Sequence, residues 1–266
     1  MGADPLRAEE LQRRLPARRA LARRIEVLAE CTSTSDALRE RLAQDGSVDG
    51  LLLAAEHQTG GRGRRERDWW SGPPAANLAV SLAIAPTRPP EALGLLAACA
   101  LCAALAPWTA APAAIKWPND ILIHGAKVAG LLAELPAAQP PLAILGLGVN
   151  VHAAPPAGRA AYAATCLDAH ARRPIARTDL LAHWLLQLER RLAVFDRSGP
   201  EPLEAEFLRR LRAWAPLGVR AHPPGTPAGP LLQFSVSRGL TWGTPDAPAT
   251  RPLGLIPALE PLPPPQ

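Results

Sequence analysis

Four short stretches of the chain gather residue types suited to phosphate and acyl chemistry. The first is Gln58-Thr59-Gly60-Gly61-Arg62-Gly63-Arg64-Arg65-Glu66-Arg67-Asp68-Trp69-Trp70-Ser71. Its glycines let backbone approach a ligand and turn several N–H groups into one anion-attracting concavity. Arg62, Arg64, Arg65 and Arg67 add charged forks that match carboxylate and phosphate. Trp69 and Trp70 offer faces for a ring or a base. The stretch is not a Walker A loop, and Glu66 stands where G-x-G-x-x-G needs its last glycine. A flexible Arg-rich surface loop, or an RNA contact, has the same composition, so this stretch alone leaves the ligand open.

The second stretch is Ile115-Lys116-Trp117-Pro118-Asn119-Asp120-Ile121. Lys116 ends an apolar run, where a strand would deliver its ammonium into a cleft, and Pro118-Asn119-Asp120 makes the turn. A compact ammonium can meet a phosphate and a carboxylate as one point charge. A turn with a solvent-facing lysine is the plainer reading. Composition weighs against it. Of 29 Lys and Arg residues only Lys116 and Lys127 are lysine, and the only asparagines are Asn77, Asn119 and Asn150. In a chain biased toward Ala, Arg, Pro and Gly, a retained lysine marks chemistry that Arg does poorly. The third stretch, Lys127-Val128-Ala129-Gly130-Leu131-Leu132, places a glycine inside a strand-like run, a sign of close backbone approach. The fourth, Gly146-Leu147-Gly148-Val149-Asn150-Val151, ends a strand-like run with an amide that could bond a base edge.

These stretches need elements to position them. Ile25–Glu30 reads as a first strand, followed by Ser33-Thr34-Ser35-Asp36, spaced like a capping box, and a helix through ALRERLAQ. Leu51–Ala55 and Asn77–Ala85 read as strands on either side of the Gly/Arg loop, and Glu91–Ala106 as an Ala/Leu helix. Ala114–Trp117, Ile121–Ile123, Lys127–Leu135 and Leu142–Val151 are strand-like, with His124-Gly125-Ala126 suggesting a hairpin. Thr178 is placed to cap a helix whose apolar stripe is Leu181, Trp184, Leu185, Leu188, Leu192 and Phe195. A second helix runs from Pro202 to about Trp214. A hairpin among mixed strands and helices predicts an α/β (α+β) domain with a mixed sheet.

Composition sets outer limits. The 266 residues carry a net charge of +5 and are 48% apolar, enough for a buried core. The N-terminal 24 residues hold seven arginines and no apolar signal run, so we expect a charged helical extension and a cytoplasmic protein without a membrane span. That extension is too short for a winged-helix DNA-binding domain. Cys99 and Cys102 form C-x-x-C within LLAACALCAALA and read as buried helix residues rather than a redox or metal pair. Residues 215–266 hold 13 of the 31 prolines; Leu232, Phe234 and Val236 suggest one strand there, and little else reads as regular structure.

Taken together and in order, the stretches resemble the biotin–protein ligases. That family's pattern of a Ser-Thr-Asn, then G-R-G-R-x-x-R-x-W, K-W-P-N-D, K-[LV]-[AG]-G-[IL]-L and G-x-G-x-N is matched across roughly residues 25–214, with Ser35 in place of the Asn. The resemblance implies a mixed β-sheet flanked by helices, like the catalytic domain of class II aminoacyl-tRNA synthetases. It implies a monofunctional ligase that uses ATP and Mg²⁺ to form biotinyl-5'-AMP, then biotinylates a lysine of a biotin carboxyl carrier protein, with no specific DNA and no membrane. It assigns Lys116 and Arg62 to catalysis. It places Ser33, Thr34, Ser35, Gln58, Arg62, Gly63, Arg64 and Lys116 around biotin. Arg62, Arg64, Arg65, Arg67, Trp69, Lys116, Asn119, Asn150 and Lys127 fall around ATP or the adenylate, and no side-chain metal site is implied. The small SH3-like barrel that usually follows is not legible after Val219-Arg220, so 215–266 reads as a degenerate barrel, a disordered tail or an out-of-frame product. The alternatives are an inactive biotin-binding homologue, a lipoate–protein ligase, whose R-R-x-S-G-G-G is absent, and a basic nucleic-acid-binding protein, suggested by the pI near 9.6.

Overall fold

The computed structural model describes residues 5–45, 48–85, 90–136, 142–222 and 227–264. A seven-stranded mixed sheet forms its centre. Its strands are β1 (Arg24–Cys31), β2 (Leu51–Gln58), β3 (Leu78–Ile84), β4 (Ala114–Lys116), β5 (Asp120–Ile123), β6 (Ala126–Glu134) and β7 (Ala143–Val149). They lie in the order β1-β2-β3-β7-β6-β5-β4. Only β1 and β2 run parallel; every other neighbouring pair is antiparallel. The hairpin expected at His124-Gly125 joins β5 to β6, with both residues at positive φ, as a tight two-residue turn requires.

Alternation along β2 shows why these runs are apolar throughout. Leu51 and Leu53 face helix α2 (Thr34–Asp45) in a small cluster with Leu38 and Ile144, whereas Leu52 and Ala54 join the main core on the opposite face. There the sheet is covered by α3 (Pro90–Leu105) and α4 (Arg177–Ser198), which bring Leu93, Leu96, Leu181 and Trp184 into the core. Helix α5 (Glu201–Trp214) adds Phe207 and Leu211. Cys99 and Cys102 are free and buried on α3, where desolvation pushes the Cys102 thiol up to about 11, as inert core cysteines should be. Among the described residues no helix is long and apolar enough to cross a membrane.

Three expectations need correction. Among the described residues the N-terminal segment has one short helix, α1 (Ala8–Arg14), and it is not merely a solvated face: Leu6, Leu11, Leu15 and Leu21 are buried in the main core. Thr178 does not cap α4. The helix starts one residue earlier, after Ala176, and Thr178 is 1% exposed inside it, so packing rather than capping uses this residue. The described residues of the last segment hold more regular structure than the one strand expected there. They form β8 (Val219–His222), β9 (Leu231–Ser235), β10 (Gly239–Thr244), β11 (Ala247–Arg251) and β12 (Ala258–Pro261). These make a three-stranded β9-β10-β11 sheet and a β8-β12 pair, linked by a bridge from Val219 to Gly229 and not closed into one barrel among the described residues. Pro230, Pro252 and Pro257 sit outside the strands, and Pro248 and Pro261 lie on outer strands, where proline costs no ladder bond. Gly239 opens β10 at φ 105°, with the Arg251 carbonyl where a Cβ would stand, so the β10–β11 approach requires glycine. Phe234, Leu240, Trp242 and Leu259 share the main core with Phe207, and the Phe207 and Phe234 rings lie 4.7 Å apart.

Candidate active site

The parallel pair sets the first wall. β1 and β2 end side by side at Cys31 and Gln58, and the chain turns from β1 into α2 through Ser33. Ser33 Oγ accepts the Asp36 N–H at 3.4 Å, as the capping pattern predicts. The next hydroxyls form a chain. Thr34 N–H and Oγ1 donate to Gln58 Oε1 at 2.8 and 3.1 Å. Ser81 Oγ, fully buried on β3, lies 2.8 Å from Thr34 Oγ1 and 2.9 Å from Ser35 Oγ, and Gln58 Nε2 donates to Ser71 Oγ at 3.1 Å. Ser81 was not a sequence candidate. Its signal was a lone hydroxyl in the apolar run LAVSLAI.

The Gly/Arg loop is pinned across its base. Trp69 N–H donates to Gly61 O at 2.8 Å, Gly63 N–H to Arg67 O at 2.7 Å, and Arg62 bridges to Asp68. Between them Arg65 takes a left-handed conformation (φ 56°), a local cost of about 1–2 kcal/mol. The Arg62 guanidinium pairs with Asp36, which Arg39 also holds, tying the loop to the start of α2.

Trp69 forms the floor. Its ring lies against the backbone of β6 and β7 at the paired glycines Gly130 and Gly148. A Cβ on Gly148 would stand 2.4 Å from Trp69 Cε2, and one on Gly130 would stand 3.2 Å from Cζ3. Two residues along β7, on the same face, Gly146 approaches Ser35 Oγ. The glycines of the third and fourth stretches therefore admit an indole and a hydroxyl.

Lys116 ends β4 opposite Asp120 on β5. Its Nζ lies 3.2 Å from the ring centroid of Tyr162, whose hydroxyl donates to Asp120 Oδ2 at 2.5 Å. The other oxygen, Oδ1, holds Lys127 Nζ at 2.6 Å, and Lys127 stands 5.3 Å above the Trp69 ring. Burial pulls the Lys116 pKa below that of ordinary lysine; Lys127 and Arg67 act in the same direction and Asp120 opposes them. Burial, with Asp120 beside it, raises the Tyr162 pKa, so the phenol stays protonated. Tyr162 too was missed; it is the chain's single tyrosine, in a loop without periodicity.

A cleft of about 820 Å³ collects these walls, and every residue that the resemblance nominated lines it. Some are held by structural bonds. Asn119 Nδ2 donates to Leu131 O at 2.6 Å, and Asn150, 2% exposed, donates to Thr165 O at 3.0 Å, fastening the loop that carries Tyr162. The last wall was unforeseen: Pro257, Ala258, Leu259 and Glu260 also line the cleft, and Trp117 Nε1 donates to Ile256 O at 2.8 Å. The lysine-bearing turn is thus bonded to the C-terminal segment. Among the described residues no three His, Cys, Asp or Glu side chains converge as a metal site.

The biotin/lipoate A/B protein ligase family model matches residues 27–150. A biotin–[acetyl-CoA-carboxylase] ligase of Mycobacterium tuberculosis is 36% identical over 195 residues, covering 71% of each chain. One from Paracoccus denitrificans is 39% identical over 196 residues, covering 67% of this chain and 78% of that one. The Aquifex aeolicus biotin protein ligase, solved with biotin and ATP, superposes with a TM-score of 0.73 at 26% identity, covering 85% of this chain and 94% of that one. With its motifs gathered around one cleft and these relatives spanning most of its length, the chain belongs to the biotin–protein ligase family.

Proposed function

We propose that the protein activates biotin with ATP and transfers it to a lysine of a biotin carboxyl carrier protein of acetyl-CoA carboxylase or a related carboxylase. One observation carries this reading. The Lys116 ammonium, half-buried and without an ion pair among the described residues, stands in the same cleft as a buried Ser/Thr/Gln hydrogen-bonding chain and a Gly/Arg anion loop. The hydroxyl chain of Thr34, Ser35 and Ser81, with Gln58, suits a small polar ring that must be desolvated. Arg62, Arg64, Arg65 and Arg67 suit the nucleotide's phosphates, with Trp69 as a floor.

In the first step a carboxylate oxygen of biotin bonds to the α-phosphorus of ATP and pyrophosphate leaves. Lys116 offsets the negative charge that accumulates there. In the second step the acceptor amine bonds to the carbonyl carbon, AMP leaves, and the amine loses a proton to solvent. The Gly/Arg loop and the Tyr162 loop keep water from the mixed anhydride between the steps. Mg²⁺ would arrive on the phosphates of ATP; among the described residues no three His, Cys, Asp or Glu side chains form a cage for it, and no step here is routed through it. The same reading makes the protein a cytoplasmic enzyme that needs neither DNA nor membrane.

The test is incubation of the chain with biotin, ATP, Mg²⁺ and a carrier domain, followed by mass spectrometry, with lipoate as control acid. Biotin alone should be transferred. Lys116→Ala should abolish adenylate formation while biotin binding persists. No modified carrier from well-folded protein would end the reading.

A further inference from the structure

The cross-strand neighbour of Lys116 is a carboxylate, yet the two do not form an ion pair. Both Asp120 oxygens are engaged elsewhere, Oδ1 by Lys127 and Oδ2 by the Tyr162 hydroxyl. The Lys116 ammonium rests instead on the face of the Tyr162 ring, 3.2 Å from its centroid. The two arrangements differ chemically. A carboxylate would neutralise the ammonium, and an incoming anion would have to break that ion pair. An aromatic face attracts the cation without neutralising it, leaving its charge for a ligand.

The platform is firmly mounted. Ala163, next in the chain, accepts the Lys127 N–H at 2.8 Å, and Thr165 N–H returns to Lys127 O at 2.9 Å. Asn150 Nδ2 holds Thr165 O from the other side. The loop therefore runs as a short parallel bridge beside β6; these bonds hold the Tyr162 backbone, and the hydroxyl's bond to Asp120 holds the phenol.

We propose that Tyr162 is a positioning residue for Lys116: its ring seats the ammonium, and its hydroxyl keeps the Asp120 carboxylate from capturing it. The proposal rests on the ligase reading for its kinetic consequence, but not for its physical one. The charged groups facing Lys116 are Asp120 from β5, Lys127 from β6, and Arg67 from the Gly/Arg loop.

Two experiments test it. The chain has only two lysines, so reductive methylation with ¹³C-formaldehyde labels Lys116, Lys127 and the N-terminal amine alone, with Lys127→Arg giving the assignment. The Lys116 signal should be shifted upfield by the ring. Tyr162→Leu should abolish that shift. Tyr162→Phe should weaken the shift without abolishing it and raise the Lys116 pKa, because Asp120 is released toward the ammonium. In pyrophosphate-exchange assays, Tyr162→Phe should lower kcat about tenfold, because the released carboxylate pairs with the ammonium, with the biotin Kd unchanged and the alkaline limb moved to higher pH. Adding Asp120→Asn should restore most of the loss. An unshifted Lys116 signal, or a Tyr162→Phe enzyme with wild-type kcat and alkaline limb, overturns the proposal. So does a loss confined to biotin affinity. A wild-type chain that makes no adenylate overturns the ligase reading, while the NMR result still decides the placement of Lys116.

Discussion

Gly148→Ala isolates the contact that shapes the floor of the cleft. The added Cβ would stand 2.4 Å from Trp69 Cε2, 2.6 Å from Cζ2 and 2.8 Å from Nε1. Ordinary carbon–carbon contact lies at about 3.5–4.0 Å, so the indole must shift by about 1 Å, or β7 must bend. β7 is paired on both sides, with β3 and β6, so the ring moves. Trp69 Nε1 is buried without a hydrogen-bond partner among the described residues, so no bond on that nitrogen holds the ring in place. Overpacking of this kind costs about 1–3 kcal/mol, or about 2–10 °C of Tm for a domain of this size. Gly130→Ala meets the same ring at 3.2 Å and should cost well under half as much. Thermal unfolding and the ATP KM for pyrophosphate exchange measure the two effects. Gly148→Ala should lower Tm and raise KM, and Trp69→Ala in the same chain should relieve the Tm loss with a coupling of at least about 1 kcal/mol. Equal behaviour of the two glycine variants, or additivity with Trp69→Ala, would refute the steric reasoning.

Three further outcomes are expected. Ser81→Ala removes the partner shared by Thr34 and Ser35 in a fully buried site and should cost about 1–3 kcal/mol in urea unfolding, with weaker biotin binding by calorimetry. Trp117→Phe deletes the bond to Ile256 O and should cost about 0.5–1.5 kcal/mol, read as faster limited proteolysis within residues 227–264 while the rest of the chain stays protected. Because burial lowers the Lys116 pKa and the step needs the ammonium, adenylate formation should begin to fall with rising pH before 10.5, the ordinary lysine value; a flat rate to that pH would contradict the burial argument.

The central sheet was legible because its signals are local. Seven apolar runs, a two-residue turn and a capping pattern each identify their own element. The motif residues were also legible, since lysine is scarce in this Arg-rich chain and the motifs follow one another in the order of a known family. What escaped depends on partners far away in the chain. Ser81 matters because Thr34 and Ser35 lie across the sheet, 47 and 46 residues away. Tyr162 matters because Lys116 sits beneath it, and no pattern within its own loop reports that. The C-terminal strands were hidden by their prolines, which read as breakers until pairing shows them on outer strands and between strands. Asn119 and Asn150 line the cleft, and what the sequence did not show is that their amides brace backbone within its wall.

The bond from Trp117 to Ile256 has a consequence for synthesis. The turn that presents Lys116 is made before the midpoint of the chain, but the carbonyl that receives its indole lies 139 residues later, and the last cleft wall follows it. All seven strands of the central sheet are made before the residues that close the cleft on that side. A nascent protein therefore cannot complete its cleft until residues 256–260 are made, and a message cut short before codon 256 would leave the Trp117 indole without its carbonyl and the main core without Ile256 and Leu259.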